Sequence, residues 1–384
     1  MWKIRGFQKM RVLITGGGTG GHLYPALAVA GLLEEYVPSV EILFVGTGEG
    51  LESTVVPAAG YSFRRIAAVK WPRRLSFKVP GVFWGLGKGY LQGIKIIKEF
   101  RPDAVFATGG YVSVPVGLAA VRRGVPLFLH EQNAVPGMAN RLLARWATVT
   151  FTTFPLRKET FPQKANSIHS GLPVRKEILR TERRDGLRYF GFDDDCFTLL
   201  VTGGSRGARR INIVMQEVYL KICAGETSLP GLQVIHLTGR DEYPAYCRML
   251  STKGICGAKI GKLVIRPYLD KMEYALAAAD LVVSRAGAAT LAELTARGLP
   301  AVLVPYPYAT GDHQYHNARY LEETGAAVLI REEDLTAERL LREIGRIVGD
   351  RQLRKKMAEQ SLRLGRPEAG EVIVRTIIEK ITSK

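Results

Sequence analysis

The stretch LVVSRAGAATLAELTARGLPAVLVPYPYATGDHQYHN, residues 281–317, restricts the folds open to this chain more than any other. Two unbroken apolar runs, Leu281–Ser284 and Ala301–Val304, flank a segment predicted to be helical from about Ala289 to Arg297. Strands that are apolar at every position, rather than at alternate ones, are covered on both faces, which is the habit of parallel strands joined by helices. The pattern predicts a βαβ unit, then a polar loop, then a helix beginning near Gln314. Ser284-Arg285-Ala286-Gly287 falls where the first strand's carboxyl end meets a helix N-terminus. Unpaired backbone N–H groups and the helix dipole make such a point attractive to phosphate. Glu293, one turn further on, is placed to accept hydrogen bonds from sugar hydroxyls. An ordinary βαβ unit with a glycine turn explains this window equally well, so the remaining chain has to decide.

The pattern recurs. Arg11–Thr15 reads as a strand, followed by Gly16-Gly-Gly-Thr-Gly-Gly21-His22 and a helix predicted from about Pro25 to Tyr36, with Pro25 near its start. Gly16, Gly18 and Gly21 fit G-x-G-x-x-G, but a dinucleotide site also wants an acidic residue ending the second strand. That strand, Glu41–Gly46, ends in Gly-Thr-Gly with Glu49 beyond it, which weakens the dinucleotide reading. The glycines more readily let backbone amides approach a phosphate or sugar of another kind. Next come the strand Asp103–Thr108, the turn Gly109-Gly-Tyr-Val-Ser113, a helix to Arg123 and the strand Leu127–His130. Glu131-Gln132-Asn133 then precede a helix carrying Asn140, Arg141 and Arg145. A second echo pairs Thr15-Gly-Gly-Gly-Thr-Gly20 with Thr202-Gly-Gly-Ser-Arg-Gly207.

These echoes predict an α/β chain of two Rossmann-like domains, residues 1–172 and 173–367, with the helix 368–384 packing back on the first. Ligands bind at the carboxyl ends of parallel sheets, so two such domains are expected to face across a cleft. Phe161–Asp195 reads as the interdomain connection, with Arg175 expected near the cleft floor. A length of 384 residues is too great for one core and suits two. No run of 18 apolar residues exists, and the opening MWKIRGFQKM lacks the apolar centre of a signal peptide. Cys196, Cys223, Cys247 and Cys256 show no paired spacing and read as free thiols.

The net charge of +18 suits a polyanionic partner, but no helix-turn-helix, zinc finger or aromatic RNP pattern accompanies it, so nucleic acid is not expected. Between Lys70 and Trp84 the basic residues Arg73, Arg74 and Lys78 interleave with Trp71, Leu75, Phe77, Phe83 and Trp84. That composition fits contact with an anionic membrane surface, and equally a packed helix face with flanking charges. Asp193-Asp194-Asp195 resembles a metal-holding triplet but precedes its strand, away from the ligand end; a solvated turn is the better reading, and no metal is expected.

Five motifs in order, Gly17-Gly-Thr-Gly-Gly-His22, Gly109-Gly-Tyr-Val-Ser113, His130-Glu-Gln-Asn133, Gly203-Gly-Ser-Arg-Gly-Ala208 and Ser284-Arg-Ala-Gly-Ala288, resemble the MurG family. These are bacterial peptidoglycan N-acetylglucosaminyltransferases of glycosyltransferase family 28. The resemblance runs from Arg11 to about Gly349; the loop Pro307–Asp312 and Met1–Lys9 depart from the pattern. It implies a two-domain GT-B fold and transfer of GlcNAc from UDP-GlcNAc to the 4-hydroxyl of MurNAc in lipid I. The product would be lipid II, formed with inversion at the cytoplasmic face of the cell membrane by a peripheral enzyme without cofactor or essential metal. Other cell-wall synthesis proteins are conceivable partners. Matched by position, the donor contacts are Thr19, Gly20, Gly21, Asn133, Arg175, Ser205, Leu269, the run Ala288, Ala289, Thr290, Leu291, Ala292 and Glu293, and Gln314. Within this set the resemblance gives Glu293 the ribose and the Leu269 region the uracil.

Inversion needs a base at the acceptor and stabilisation of the leaving diphosphate. His22, in a glycine-rich turn at a strand's carboxyl end, is the favoured base, since imidazole titrates near working pH; a histidine that merely caps a turn is the alternative. Glu131 is the competing base, or else a residue that orients its loop. A UDP-GlcNAc 2-epimerase on the same fold, using Asp312 and Glu131, is the second function considered, although it leaves the basic aromatic stretch without a role. A nonenzymatic nucleotide-sugar binding module is the third.

Overall fold

In the computed structural model the described residues are 10–18, 20–68, 79–155, 161, 166–204, 207–226, 229, 231–253, 255 and 260–383, with backbone alone for 79–83. The chain divides into two compact units, Met1–Pro173 with Pro367–Lys384, and Val174–Arg366.

The first unit is built on a parallel sheet of β1 (Arg11–Thr15), β2 (Glu41–Gly46), β3 (Ser62–Arg65), β4 (Ala104–Ala107), β5 (Leu127–Glu131), β6 (Val149–Thr152) and β7 (Ser167–His169). Its order is β3-β2-β1-β4-β5-β6-β7. The chain steps outward from β1 to β3, then crosses back to lay β4 on the other side of β1. Side chains alternate across a strand, so Val12 and Ile14 enter one core while Leu13 enters the other. All three are fully buried, which explains the unbroken apolar run.

The helices of this unit are α1 (Gly20–Tyr36), α2 (Glu52–Ala58), α3 (Val79–Phe100), α4 (Ser113–Arg122) and α5 (Met138–Leu143). Helix α1 begins five residues before the predicted Pro25, which lies inside it. Proline there removes only one bond, to the carbonyl of residue 21, near the helix start where the chain tolerates it. Arg145 falls in the turn beyond α5 rather than on the predicted helix.

In the second unit six strands run parallel: β8 (Phe197–Thr202), β9 (Leu232–Leu237), β10 (Lys262–Arg266), β11 (Leu281–Ser284), β12 (Ala301–Leu303) and β13 (Ala327–Leu329). Their order, β10-β9-β8-β11-β12-β13, repeats that of the first sheet with β8 in the place of β1. The helices are α6 (Lys176–Arg180), α7 (Arg183–Phe190), α8 (Arg209–Cys223), α9 (Tyr243–Thr252), α10 (Met272–Ala278), α11 (Ala288–Ala296), α12 (His313–Glu323), α13 (Ala337–Gly349) and α14 (Arg351–Leu364).

The segment 161–195 is not a plain connection. β7 completes the first sheet, and α6 and α7 already belong to the second unit, where Gly186 lies so close to α10 that a Cβ would come within 2.5 Å of the Tyr274 carbonyl. Asp193 stands in the turn before β8 and pairs with Lys262 at 2.9 Å. After α14 the chain returns as α15 (Ala369–Thr382) to the first unit. There Ile373, Val374, Ile377 and Ile378 pack into the core with Val29 and Leu33 of α1. Burying each such side chain stabilises by about 1.5–3 kcal/mol. Gly370 allows the close approach, since a Cβ there would lie 2.3 Å from Leu32.

Candidate active site

In an open parallel sheet, ligands settle outside the carboxyl ends of the strands, where the strand order reverses. In the first unit that point lies between β1 and β4. The turn after β4 contains Gly109 (φ 96°) and Gly110 (φ 82°), both left-handed. A Cβ on Gly110 would lie 2.7 Å from the Gly17 carbonyl, so only glycine lets the two turns touch. The ring of half-buried His22 lies against this pair. Its Nδ1 is 2.8 Å from the Thr108 carbonyl and 2.9 Å from Gln132 Oε1. Both partners accept, so Nδ1 carries the proton and Nε2 keeps its lone pair; the tautomer follows from the partners. Among the described residues Nε2 has no hydrogen-bond partner.

Glu131 is in a different situation. Its buried carboxylate accepts from the Asn133 N–H at 3.0 Å, the Gly137 N–H at 3.0 Å and Asn140 Nδ2 at 2.8 Å. These contacts tie the 133–140 loop to the end of β5. His130 is wholly buried, with Nε2 donating to the Gly171 carbonyl at 3.0 Å. Burial pulls its pKa down to about 4, so it is neutral near neutral pH.

Sequence reasoning missed Glu52, at the start of α2. Its buried carboxylate accepts from the Gly18 N–H at 3.0 Å and from Thr47 N and Oγ at 3.1 and 2.7 Å. Burial raises its pKa, but the bonds from Gly18 and Thr47 outweigh this and hold it below the usual value. A Cβ on Gly17 would meet this carboxyl group at 2.5 Å. The acidic residue that the dinucleotide test sought at the end of β2 therefore exists a few positions on, turned inward to brace the glycine turn.

In the second unit the equivalent point lies between β8 and β11. Gly204 (φ 79°) and Gly207 (φ 74°) shape the turn after β8, and a Cβ on Gly207 would lie 2.1 Å from the Thr238 carbonyl. Behind it Asn212 donates to the Thr238 carbonyl at 2.9 Å and accepts from His236 at 3.1 Å. After β11, Gly287 is extended and α11 starts at Ala288. Gln314 Oε1 accepts from Ala286 N at 3.2 Å and Tyr306 N at 3.0 Å, joining the loops that follow β11 and β12. Leu269 is buried.

Glu293 is half-buried and, among the described residues, its carboxyl has no hydrogen-bond partner. Burial is the main cause that lifts its pKa to about 7; Arg175 opposes the shift and Glu273 adds to it. Arg175 lies 3.9 Å from Glu273, a second carboxylate that sequence reasoning did not single out. No periodic signal marks Glu273; only folding brings α10 beside Arg175.

The structure thus gathers Gly20, Gly21, His22, Glu131 and Asn133 around strand ends of the first unit, and Arg175, Glu293 and Gln314 within the second. Thr19, Ser205, Trp71, Arg73, Arg74, Leu75, Phe77 and Lys78 lie outside the described residues, as does the side chain of Phe83. Trp84 on α3 is 79% exposed.

Two α/β units with sheets of the same order and glycine turns at their switch points define a protein of the GT-B class. Residues 12–152 match the glycosyltransferase family 28 N-terminal domain, and residues 198–373 match the family's C-terminal domain. The chain belongs to glycosyltransferase family 28. It is 48% identical, over 97% of its length and 99% of the relative's, to the UDP-N-acetylglucosamine--N-acetylmuramyl-(pentapeptide) pyrophosphoryl-undecaprenol N-acetylglucosamine transferase of Desulforamulus reducens. The crystal structure of MurG from Acinetobacter baumannii superposes with a TM-score of 0.78 at 30% identity, over 96% of this chain and 99% of that one. UDP-GlcNAc 2-epimerase from Neisseria meningitidis, bound to UDP-GlcNAc, shares the fold with a TM-score of 0.63 at 13% identity, over 97% of this chain and 100% of the other.

Proposed function

We propose that this chain transfers GlcNAc from UDP-GlcNAc, with inversion, to the 4-hydroxyl of MurNAc in lipid I, giving lipid II. The observation that carries this reading is the 48% identity, spanning 97% of the chain, to a transferase named for that reaction. The likeness to an epimerase, at 13% identity, extends to the fold alone.

In the first unit, His22 is the general base. Its Nε2 takes the proton of the acceptor hydroxyl as that oxygen bonds to the anomeric carbon. The bond from that carbon to the β-phosphate oxygen breaks, and UDP leaves with the electron pair. Glu131, with its carboxylate engaged by its own loop, is assigned to positioning the loop that carries Asn133.

In the second unit, the N-terminus of α11 faces the diphosphate and stabilises its developing charge. Glu293 accepts from the ribose hydroxyls, and the Leu269 region holds the uracil. Thr19, Gly20, Gly21, Asn133, Arg175, Ser205, the run Ala288–Glu293 and Gln314 complete the donor contacts, supported by family membership.

The acceptor lies in a bilayer, and we place the enzyme peripherally on its cytoplasmic face. Among the described residues no helix is long and apolar enough to cross a membrane. Trp84, Lys88, Leu91 and Lys95 follow helical spacing along α3 and are exposed, while Gly93 on another face packs on Ala119 of α4. On α5 and the turn after it, Met138 and Trp146 are exposed beside Arg141 and Arg145. Each basic residue near an anionic surface contributes about 1 kcal/mol. Reversing Arg73, Arg74 and Lys78 to Glu is expected to abolish most binding to anionic vesicles and leave UDP binding unchanged. Equal sedimentation of this variant and wild type would move the anchor to Arg141 and Arg145.

The deciding assay combines UDP-GlcNAc with a lipid I analogue and follows formation of the disaccharide. UDP-GlcNAc alone should remain unchanged; conversion of the sugar without acceptor would instead establish an epimerase.

A further inference from the structure

Half-buried His22 and wholly buried His130 are joined through one side-chain amide, that of Gln132, which is 2% exposed. The chain of bonds begins and ends on backbone carbonyls, which can only accept. At one end the Gly171 carbonyl is 3.0 Å from His130 Nε2, so that nitrogen carries the proton and His130 Nδ1 is a lone pair. Gln132 Nε2 lies 3.1 Å from this Nδ1 and also faces the carbonyls of Thr108 at 2.9 Å and His130 at 3.0 Å. With acceptors on every side of it, that atom is the amide nitrogen. The amide oxygen is therefore the atom turned to His22, 2.9 Å from Nδ1. At the other end the Thr108 carbonyl is 2.8 Å from the same Nδ1. One proton arrangement sets a donor against every acceptor, with the two amide hydrogens of Gln132 shared among its three, and it leaves His22 Nε2 bare.

We infer that Gln132 is a positioning residue that holds His22 in the Nδ1–H tautomer. The inference rests on the proposed role of His22 as the base, and adds what makes it one. The Nε2–H tautomer would set an unprotonated Nδ1 against two oxygen lone pairs, and would present a donor where the reaction needs an acceptor. When Nε2 takes the acceptor's proton, the Nδ1–H is already directed at the amide and carbonyl oxygens. These stabilise the cation that forms without any reorientation. The amide is itself held from turning over by His130, whose burial keeps it neutral.

The test is the nitrogen-15 spectrum of the histidine rings, with His22 assigned by comparison with His22→Gln. In the wild-type protein His22 should show a protonated Nδ1 and an unprotonated Nε2 in its neutral form; an unprotonated Nδ1 overturns the inference without any variant. In Gln132→Leu the Nδ1–H population should fall, with kcat reduced about 10- to 100-fold and the KM for UDP-GlcNAc within about twofold of wild type. An unchanged tautomer in folded Gln132→Leu overturns the inference, whatever the rate. Gln132→Glu keeps an acceptor for the Nδ1–H and adds a negative charge. The acid limb of its kcat profile should move upward by about one pH unit or more; an unmoved limb counts against the contact. His22→Ala separates this question from the assignment of the base. If His22→Ala remains fully active the base is elsewhere, while the ring spectra still report whether Gln132 sets the tautomer.

Discussion

Glu52 and Glu293 are carboxyl residues near the ligand end of a parallel sheet, one in each unit, and their environments shift them in opposite directions. Glu52 accepts bonds from Gly18 and Thr47 and is held below the usual carboxylate range. Glu293 has no hydrogen-bond partner among the described residues, and burial lifts it to about 7. A carboxylate whose lone pairs are already satisfied by the protein is part of the scaffold. A carboxyl left unsatisfied in a half-buried position gains by taking donors from a ligand.

The same contrast extends to the two glycine turns. In the first, Glu52 places negative charge behind Gly18 and occupies its N–H, which disfavours a phosphate there and suits a turn that presents a base. In the second, the groups behind the turn are neutral: Asn212, bonded to His236, whose pKa burial lowers to about 3. Nothing in that network opposes an anion.

The largest expected effect tests whether the first turn does the chemistry. His22→Ala should lower kcat by about 10²–10⁴, the usual contribution of a general base, with UDP affinity nearly intact. A kcat within a few-fold of wild type would return the role to Glu131, with Glu131→Gln the variant to measure.

Next in size, Glu52→Ala strips the acceptor from Gly18 and Thr47 and should destabilise the protein by about 2–4 kcal/mol in chemical denaturation. Because the folded pKa of Glu52 is lowered from 4.5, its contribution is present above that value and lost as pH falls through the lowered one. A variant as stable as wild type would mean that the turn holds without its brace.

Glu293→Ala should leave stability largely intact but raise the KM for UDP-GlcNAc and weaken UDP binding by about 1–3 kcal/mol in calorimetry. Unchanged UDP affinity would remove it from the ribose.

The smallest effect concerns pH. Ribose hydroxyls donate to the ionised carboxylate, and Glu293 is protonated below about 7 in the unliganded protein. UDP-GlcNAc affinity in the wild type should therefore fall as pH drops below that value, by no more in total than Glu293→Ala removes. Glu293→Gln should be flat over the same range. Raised from 4.5 to about 7, the same carboxyl lowers the free protein's stability as pH rises through that window, and Glu293→Gln should remove that slope as well.

Sequence alone determined the βα alternation, since strands covered on both faces must be apolar at every position, and Leu13, Val201 and Val283 are fully buried. It also located the glycine turns, because Gly109, Gly110 and Gly204 occupy backbone conformations that other residues avoid. His22 and Glu293 were legible because each sits next to such a turn or strand end in the chain itself. The end of α1 was legible too, but not its start: Pro25 looked like a beginning, and tolerance of one missing bond made it an interior residue. What only the tertiary structure decided is which polar groups satisfy one another. Glu52 reaches Gly18 across 34 positions and Gln132 reaches His22 across 110. No local periodicity encodes such a contact, because it depends on which strands lie side by side, and that is settled by the crossing from β3 back to β4. Whether a carboxyl braces a turn or waits for a ligand is therefore a property of the folded neighbourhood, not of the residue.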